Sequence, residues 1–202
     1  MTPPILRPEH ITALAMFAFA SSITPGPNNM MLMASGANFG FRRTLPHWAG
    51  VVIGFSLLCL TVGLGLGQLF TAYPILHEVL KWVGAIYLVW LAWKIGSSKG
   101  LKNGESAGKP MSFLGAVAFQ AVNVKAWMMA VGLASTYVPN EGYLPNLLIG
   151  CLVFAAINAP CVATWLSFGI ALRKVLEKPA ALKAFNLTMA ALLIASLYTV
   201  FF

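Results

Sequence analysis

Of the 202 residues, 59% are hydrophobic and only 9% are charged, against roughly 25% charged in a typical soluble domain. So few charges cannot clothe a water-facing surface, which excludes a soluble enzyme or binding domain and indicates an all-α polytopic membrane protein. The net charge of +8 arises from thirteen Lys and Arg against five Glu, and the basic residues fall mostly between apolar runs, where positive-inside topology explains them better than nucleic-acid binding.

Six transmembrane helices are predicted, over residues 10–39, 46–70, 75–97, 113–138, 144–172 and 184–201. The first run is too long for one straight span. It lacks a basic n-region and continues well past its prolines, so it reads as a retained span and not as a cleaved signal peptide. Its middle carries Thr24-Pro25-Gly26-Pro27-Asn28-Asn29. Pro25 and Pro27 each lack a backbone N–H and clash with the preceding turn, and Gly26 between them tolerates unusual dihedrals. The helix should therefore unwind here and restart with Asn28 or Asn29 as its cap. Unwound backbone at mid-membrane depth is tolerated inside protein or beside a watery cavity, and the restarted helix turns its positive end toward the midplane, where a carboxylate would be welcome. A kink that serves packing alone is the plainer reading.

A loop at Gly40-Phe41-Arg42-Arg43 leads to the second span, where Gly50-x-x-x-Gly54 and Gly63-x-x-x-Gly67 allow close helix packing. Glu78 and Lys81 form a local pair in the third span, and Trp93 suits an interfacial anchor beside Tyr87 and Trp90. The polar segment 99–112 divides the chain into halves 1–98 and 113–202. Lys and Arg crowd the first, third and fifth loops, while the loops near Tyr73 and Glu141 have none between their spans. The odd loops, including the 99–112 linker, are thus expected in the cytoplasm and both termini outside. Three spans per half force the halves to insert in opposite senses, as in inverted-repeat transporters. Residues 24–30 then lie on residues 123–129, so the fourth span is a candidate for a second mid-membrane break.

Lys125 is the only charged residue near the centre of any span, too deep for its stem to snorkel comfortably. No carboxylate lies at that depth. Its partner is expected to be backbone carbonyl, water or a substrate, and the bland alternative is that it ties broken helices together through their free carbonyls. Gln120 and Asn123 share its neighbourhood, and Asn158-Ala159-Pro160 puts a further proline break beside a polar residue in the fifth span. Interhelical hydrogen bonding competes with a transport role for all three polar residues. Cys59, Cys151 and Cys161 read as small buried residues, and His10, His47 and His77 show no metal-ligand spacing. Nothing resembles a nucleophile–base pair.

The motif at 24–29, the Gly40-Phe41-Arg42-Arg43 loop and the stretch Tyr87 to Lys94 resemble the LysE/Rht superfamily of amino-acid exporters over essentially the whole chain. Phe119-Gln120-Ala121-Val122-Asn123-Val124-Lys125 is most similar to the cysteine/O-acetylserine exporter branch. Many relatives have Asn-Pro-Lys here; Val124 replaces that proline, which argues against a complete break while keeping Asn123 and Lys125. The resemblance implies proton-driven efflux of small amino acids or their derivatives, cysteine/O-acetylserine-like or threonine/homoserine-like, across a bacterial inner membrane. The expected substrate-binding residues are Lys125, Asn28, Asn29, Asn123, Thr24 and Asn158, with helix breaks at Pro25, Gly26, Pro27 and Pro160. The expected partners are a small amino acid, a coupling proton, the lipid bilayer and, in an assembly, a second copy of the chain; no cofactor, metal or nucleic acid is expected. A membrane thiol–disulfide carrier would need cysteine beside proline in the first and fourth spans, and a metal exporter would need ligands at mid-depth. A small-solute channel, or an exporter of another small metabolite or ion, is the alternative.

Overall fold

The computed structural model describes residues 6–97 and 108–198, and all regular structure among them is helical. Helix α1 (Pro8–Ile23) ends at a break, and α2 (Pro27–Thr61) begins after it. Thr24 and Gly26 each precede a proline, which disfavours the helical region, and both are extended. Pro27 then occupies the first helical position, where a missing N–H costs nothing.

The loop expected after residue 39 is a one-residue turn instead. Gly40 adopts φ 76, ψ −178, a backbone conformation essentially confined to glycine, and the helix resumes at once. Helix α2 thus already runs ahead of Pro46, where the second predicted span begins. It continues through a π-helical stretch, Val62–Leu66, into α3 (Gly67–Ala72), with Gly65 at φ 118. A straight helix over Pro27–Leu66, 40 residues, would measure about 60 Å, twice the roughly 30 Å of a bilayer's hydrocarbon. The Gly40 turn divides that length.

Helix α4 (Pro74–Gly96) matches the third predicted span and carries the Glu78–Lys81 pair at 3.9 Å. The fourth is α5 (Phe113–Gln120) followed by α6 (Val124–Gly132) and a π-helical turn, Leu133–Tyr137, and it is bent by 65°. The break forms despite Val124. Three successive i→i+3 bonds, from Ala121, Val122 and Asn123 back to Ala118, Phe119 and Gln120, tighten the end of α5, and the Trp127 indole donates to the Ala121 carbonyl at 2.9 Å.

Helix α7 (Tyr143–Ala171) runs unbroken through Pro160, so the break expected there is not present. A single proline removes one hydrogen bond, and the helix around it is braced by α2, whose Trp48 indole donates to the Ala159 carbonyl at 3.1 Å. A 3₁₀ segment, Leu172–Glu177, leads to α8 (Pro179–Ala195), which starts earlier than the predicted sixth span. The predicted linker lies largely outside the described residues.

By length and composition three described helices can cross a membrane, over Pro27–Leu66, Glu78–Gly96 and Tyr143–Glu177, and the bent α5–α6 pair makes a fourth. Packing is closest where glycine removes the side chain. A Cβ on Gly36 would meet the Leu166 oxygen at 2.5 Å, locking α2 against α7, and one on Gly54 would meet the Val117 backbone at 2.7 Å, locking α2 against α5. Ile86, Trp93, Met128 and Leu152 are all more than 60% exposed. Such side chains on several elements make an apolar exterior suited to lipid. The basic segments gather at one end: Arg43 donates to the Gly108 carbonyl at 3.1 Å, and the Arg173 guanidinium packs on Gly40.

Candidate functional site

The two helix breaks meet. A break in a helix leaves carbonyls at one end and N–H groups at the other without intrahelical partners, and each must be answered when buried. At the end of α1 four successive carbonyls find side-chain donors. Asn29 Nδ2 donates to Ser22 O and Thr24 O, both at 2.8 Å, and the Trp165 indole to Ile23 O at 3.0 Å. Lys125 Nζ, from α6, donates to Thr24 O at 3.0 Å, to Thr24 Oγ1 at 2.9 Å and to Pro25 O at 3.2 Å. The ammonium thus spends its three protons on the broken end of α1. Its stem lies on Gly26, where an added Cβ would stand 2.9 Å from Lys125 Cδ, so the missing side chain makes room for the lysine.

The expected capping by Asn28 or Asn29 is not what the structure contains. Gly26 is the cap residue of α2 and receives no side-chain bond. Asn29 turns back to the carbonyls of α1, which the break leaves without intrahelical donors. Asn28 instead pairs with Gln120 across the two breaks, through Asn28 Nδ2 to Gln120 Oε1 at 2.9 Å and Gln120 Nε2 to Asn28 Oδ1 at 3.1 Å. A reciprocal amide pair satisfies both groups and fixes the register between α2 and α5.

A cavity of about 30 Å³ lies at this junction, lined by the first turns of α2 and α6 together with Ser22 and Asn158. The first intrahelical bond of α2 is donated by Met30 and that of α6 by Trp127, so the N–H groups before them have no helical acceptor. Two helix N-termini and an ammonium therefore converge on one space, which favours a negative charge. The buried amide oxygens of Asn123 and Asn158 lack partners here, while Asn158 Nδ2 donates to Ser22 Oγ at 3.0 Å. They are acceptors for a positively charged donor. The space suits water and is too small for an amino acid, so a larger occupant requires the walls to part.

On the other side of Lys125 lies a mostly apolar cavity of about 450 Å³, lined by Thr24, Pro25 and Met30 and by residues of α4 and α8 such as Gly84 and Leu192. Gly26, Pro27, Asn123 and Lys125 line both spaces. Lys125 is thus part of the wall between them. Of the residues predicted for the site, Thr24, Pro25, Gly26, Pro27, Asn28, Asn29, Asn123, Lys125 and Asn158 come together; Pro160 does not line either space. Ser22 and Trp165 were not legible as participants, since neither stands in a motif and both act only on the freed end of α1.

A broken-helix junction at the core of a membrane bundle is a transporter's arrangement, and comparison with known proteins agrees. The LysE type translocator family pattern matches residues 19–201. This chain belongs to that family. Curated relatives named cysteine/O-acetylserine efflux protein, from Escherichia coli, Shigella sonnei and Shigella flexneri, are 34% identical over 155 residues, covering 75% of this chain and 77% of theirs. No solved structure matches it significantly. The translocator is a multi-pass membrane transporter and not an enzyme.

Proposed function

We propose that this translocator exports a small amino acid of the cysteine or O-acetylserine kind across the bacterial inner membrane in exchange for protons, by alternating access at the junction of the two breaks. The observation that carries the proposal is Lys125, one ammonium held on the broken end of α1 beside the N-termini of α2 and α6. A zwitterion at the membrane midplane must have both charges answered, because a bare charge there costs several kcal/mol. In this reading the carboxylate takes the place of the Thr24 and Pro25 carbonyls as the partner of Lys125, and Asn28 and Asn29 hold the first turn of α2 open to it. The ammonium of the substrate meets the Asn123 and Asn158 amide oxygens. Exchange of partners by Lys125 is then the event that parts the wall between the two cavities.

The proposal extends to architecture. Six spans follow if α1 with 27–39 is the first, 41–72 the second, α4 the third, α5–α6 the fourth, α7 the fifth and α8 the sixth. The packing of α4 on α8 supports inverted halves, since it joins the third members of the two repeats. The gathered basic end supports placing that end in the cytoplasm and both termini outside.

Counterflow of labelled amino acids in proteoliposomes tests the function. A panel including cysteine, O-acetylserine, threonine and homoserine should show exchange with the first two, stimulated by an inward proton gradient. Flux without counterflow would indicate a pore, and no flux of any amino acid would remove the proposal.

A further inference from the structure

We propose that Phe55 and Met129 select the side chain of the substrate, and that they favour the thiol of cysteine over the hydroxyl of serine and the longer ester of O-acetylserine. The inference rests on the export reading for the place of the zwitterion and adds which side chain that place accepts. The small space at the breaks has two kinds of wall. Its polar part, with Lys125 and the asparagines, answers in the export reading the charged groups that every α-amino acid shares. The rest is apolar, made by Phe55 of α2, Ala126 and Met129 of α6 and Val162 of α7. Lys125 and Met129 are four positions apart on one face of α6, about 5–6 Å from Cβ to Cβ. A substrate whose carboxylate meets Lys125 and whose side chain follows the helix away from its break therefore reaches Met129 within one turn. Phe55 and Ala126 pack with Met129 in a single apolar cluster, so Phe55 closes the same end of the space.

The Phe55 ring is not free to give way. It stands edge-on to Phe154 with centroids 4.9 Å apart, Phe154 stands edge-on to Phe17 at 5.9 Å, and Phe17 stacks on Tyr137 at 5.1 Å. Nor does it belong to the wall that opens. Gly26, Pro27, Asn123 and Lys125 line both cavities at the breaks, whereas Phe55, Ala126 and Met129 line the small one and not the larger. When Lys125 exchanges partners, room is gained on its own side, and Phe55 stays as a fixed stop.

Such a stop limits both length and polarity. The cysteine side chain ends in one sulfur atom, neutral at physiological pH, which behaves as a small hydrophobe and only a weak donor. The serine hydroxyl is as short, but it must leave its hydration behind beside a phenyl ring, a methyl and a thioether, which offer it at most a weak acceptor. Ser21, elsewhere in the wall, has no proton to give, since its hydroxyl donates to the Phe17 carbonyl at 2.6 Å. O-Acetylserine adds an acetyl group whose length meets the Phe55 ring and whose carbonyl finds no donor there.

Counterflow in proteoliposomes of the full chain tests the proposal, with cysteine (kept reduced by a phosphine), serine and O-acetylserine as competing substrates. The wild type should prefer cysteine to each of the others by about tenfold or more, the usual effect of a mismatched hydroxyl or methylene in an apolar pocket. Phe55→Leu, which shortens the stop, should raise O-acetylserine about tenfold relative to cysteine and leave the ratio of cysteine to serine unchanged. Met129→Gln is close in size and can donate and accept, so it should raise serine about tenfold relative to cysteine. Phe119→Leu truncates an equally buried ring that lines neither cavity at the breaks, and it should move neither ratio. Ratios within one preparation do not depend on how much of a variant folds, and the wild-type ratios need no variant. Equal exchange of the three substrates by the wild type, ratios indifferent to Phe55→Leu and Met129→Gln, or the same shifts in Phe119→Leu would each overturn selection at Phe55 and Met129. Exchange of no amino acid at all would instead overturn the export reading on which it rests.

Discussion

Lys125 and Thr24 stand 101 positions apart, yet the lysine ammonium meets the threonine twice, at its carbonyl oxygen and at its hydroxyl, 3.0 and 2.9 Å away. The contact joins the break in the first half of the chain to the break in the second. It also gives a half-buried cation a set of neutral acceptors, which a carboxylate could replace at a gain in Coulomb energy.

The double variant Pro25→Ala, Pro27→Ala should insert and fold, because alanine favours continuous helix and removes no charge. It should lose export. A helix that runs on through residues 24–27 has no free carbonyls for Lys125 and no second N-terminus at the junction. Efflux from cells, with expression checked by immunoblot, measures this; transport near the wild-type rate would reduce the motif to a packing feature.

Asn28 and Gln120 should be energetically coupled. Alanine at either position strands the partner's amide, so the second substitution should cost less than the first. A double-mutant cycle on thermal stability in detergent is expected to give a coupling of about 0.6 kcal/mol, and up to about 1.7, as for other polar pairs between membrane helices. Additive losses would mean that the reciprocal amide pair contributes nothing.

Gly40→Ala should destabilise the protein by about 1–3 kcal/mol, since φ 76 with ψ −178 is closed to residues with a side chain and the new methyl would meet the Arg173 guanidinium. Gly67→Ala is the matched control. Its φ of −60 is helical, and a methyl there meets nothing closer than 3.4 Å. Thermal midpoints in detergent compare the two, and equal losses would contradict the turn.

How much of this junction was legible follows from what each residue advertises. Pro25-Gly26-Pro27 announces its break because two absent N–H groups and two restricted preceding residues leave the backbone no helical option. The fourth-span break carries no proline; it is made by tightened turns at Ala121–Asn123 and by the Trp127 indole, features that arise only once α5 and α6 have packed. Pro160 misleads for the converse reason, since a lone proline among tightly packed neighbours is absorbed within α7. The turn at Gly40 is invisible in the sequence because a glycine does not declare the sign of its φ. Asn29 shows the same limit for side chains. Its position before a helix suggests a cap, but the carbonyls of Ser22 and Thr24, freed by the break, claim it.

The orientation of the chain is tested with single cysteines at Gly108 and Asn140, in a version whose Cys59, Cys151 and Cys161 are replaced by alanine. An impermeant maleimide should label Asn140→Cys on intact cells and reach Gly108→Cys only after the membrane is opened. The reverse pattern would invert the topology.

The central claim is that Lys125 is the charge the substrate carboxylate meets, and efflux by Lys125 variants tests it most directly. Lys125→Met removes a charge from mid-membrane, so insertion and expression should be at least normal. Efflux should fall about a hundredfold or more, equivalent to the roughly 3 kcal/mol expected for a charge left unpaired at that depth. Lys125→Arg should also export poorly, because a planar fork cannot take the place of a compact ammonium between Thr24 and Gly26. Expression at the wild-type level with efflux at about one hundredth is the predicted result; a well-expressed Lys125→Met variant that exports at near the wild-type rate would contradict it, and would leave Lys125 as no more than a tie between two broken helices.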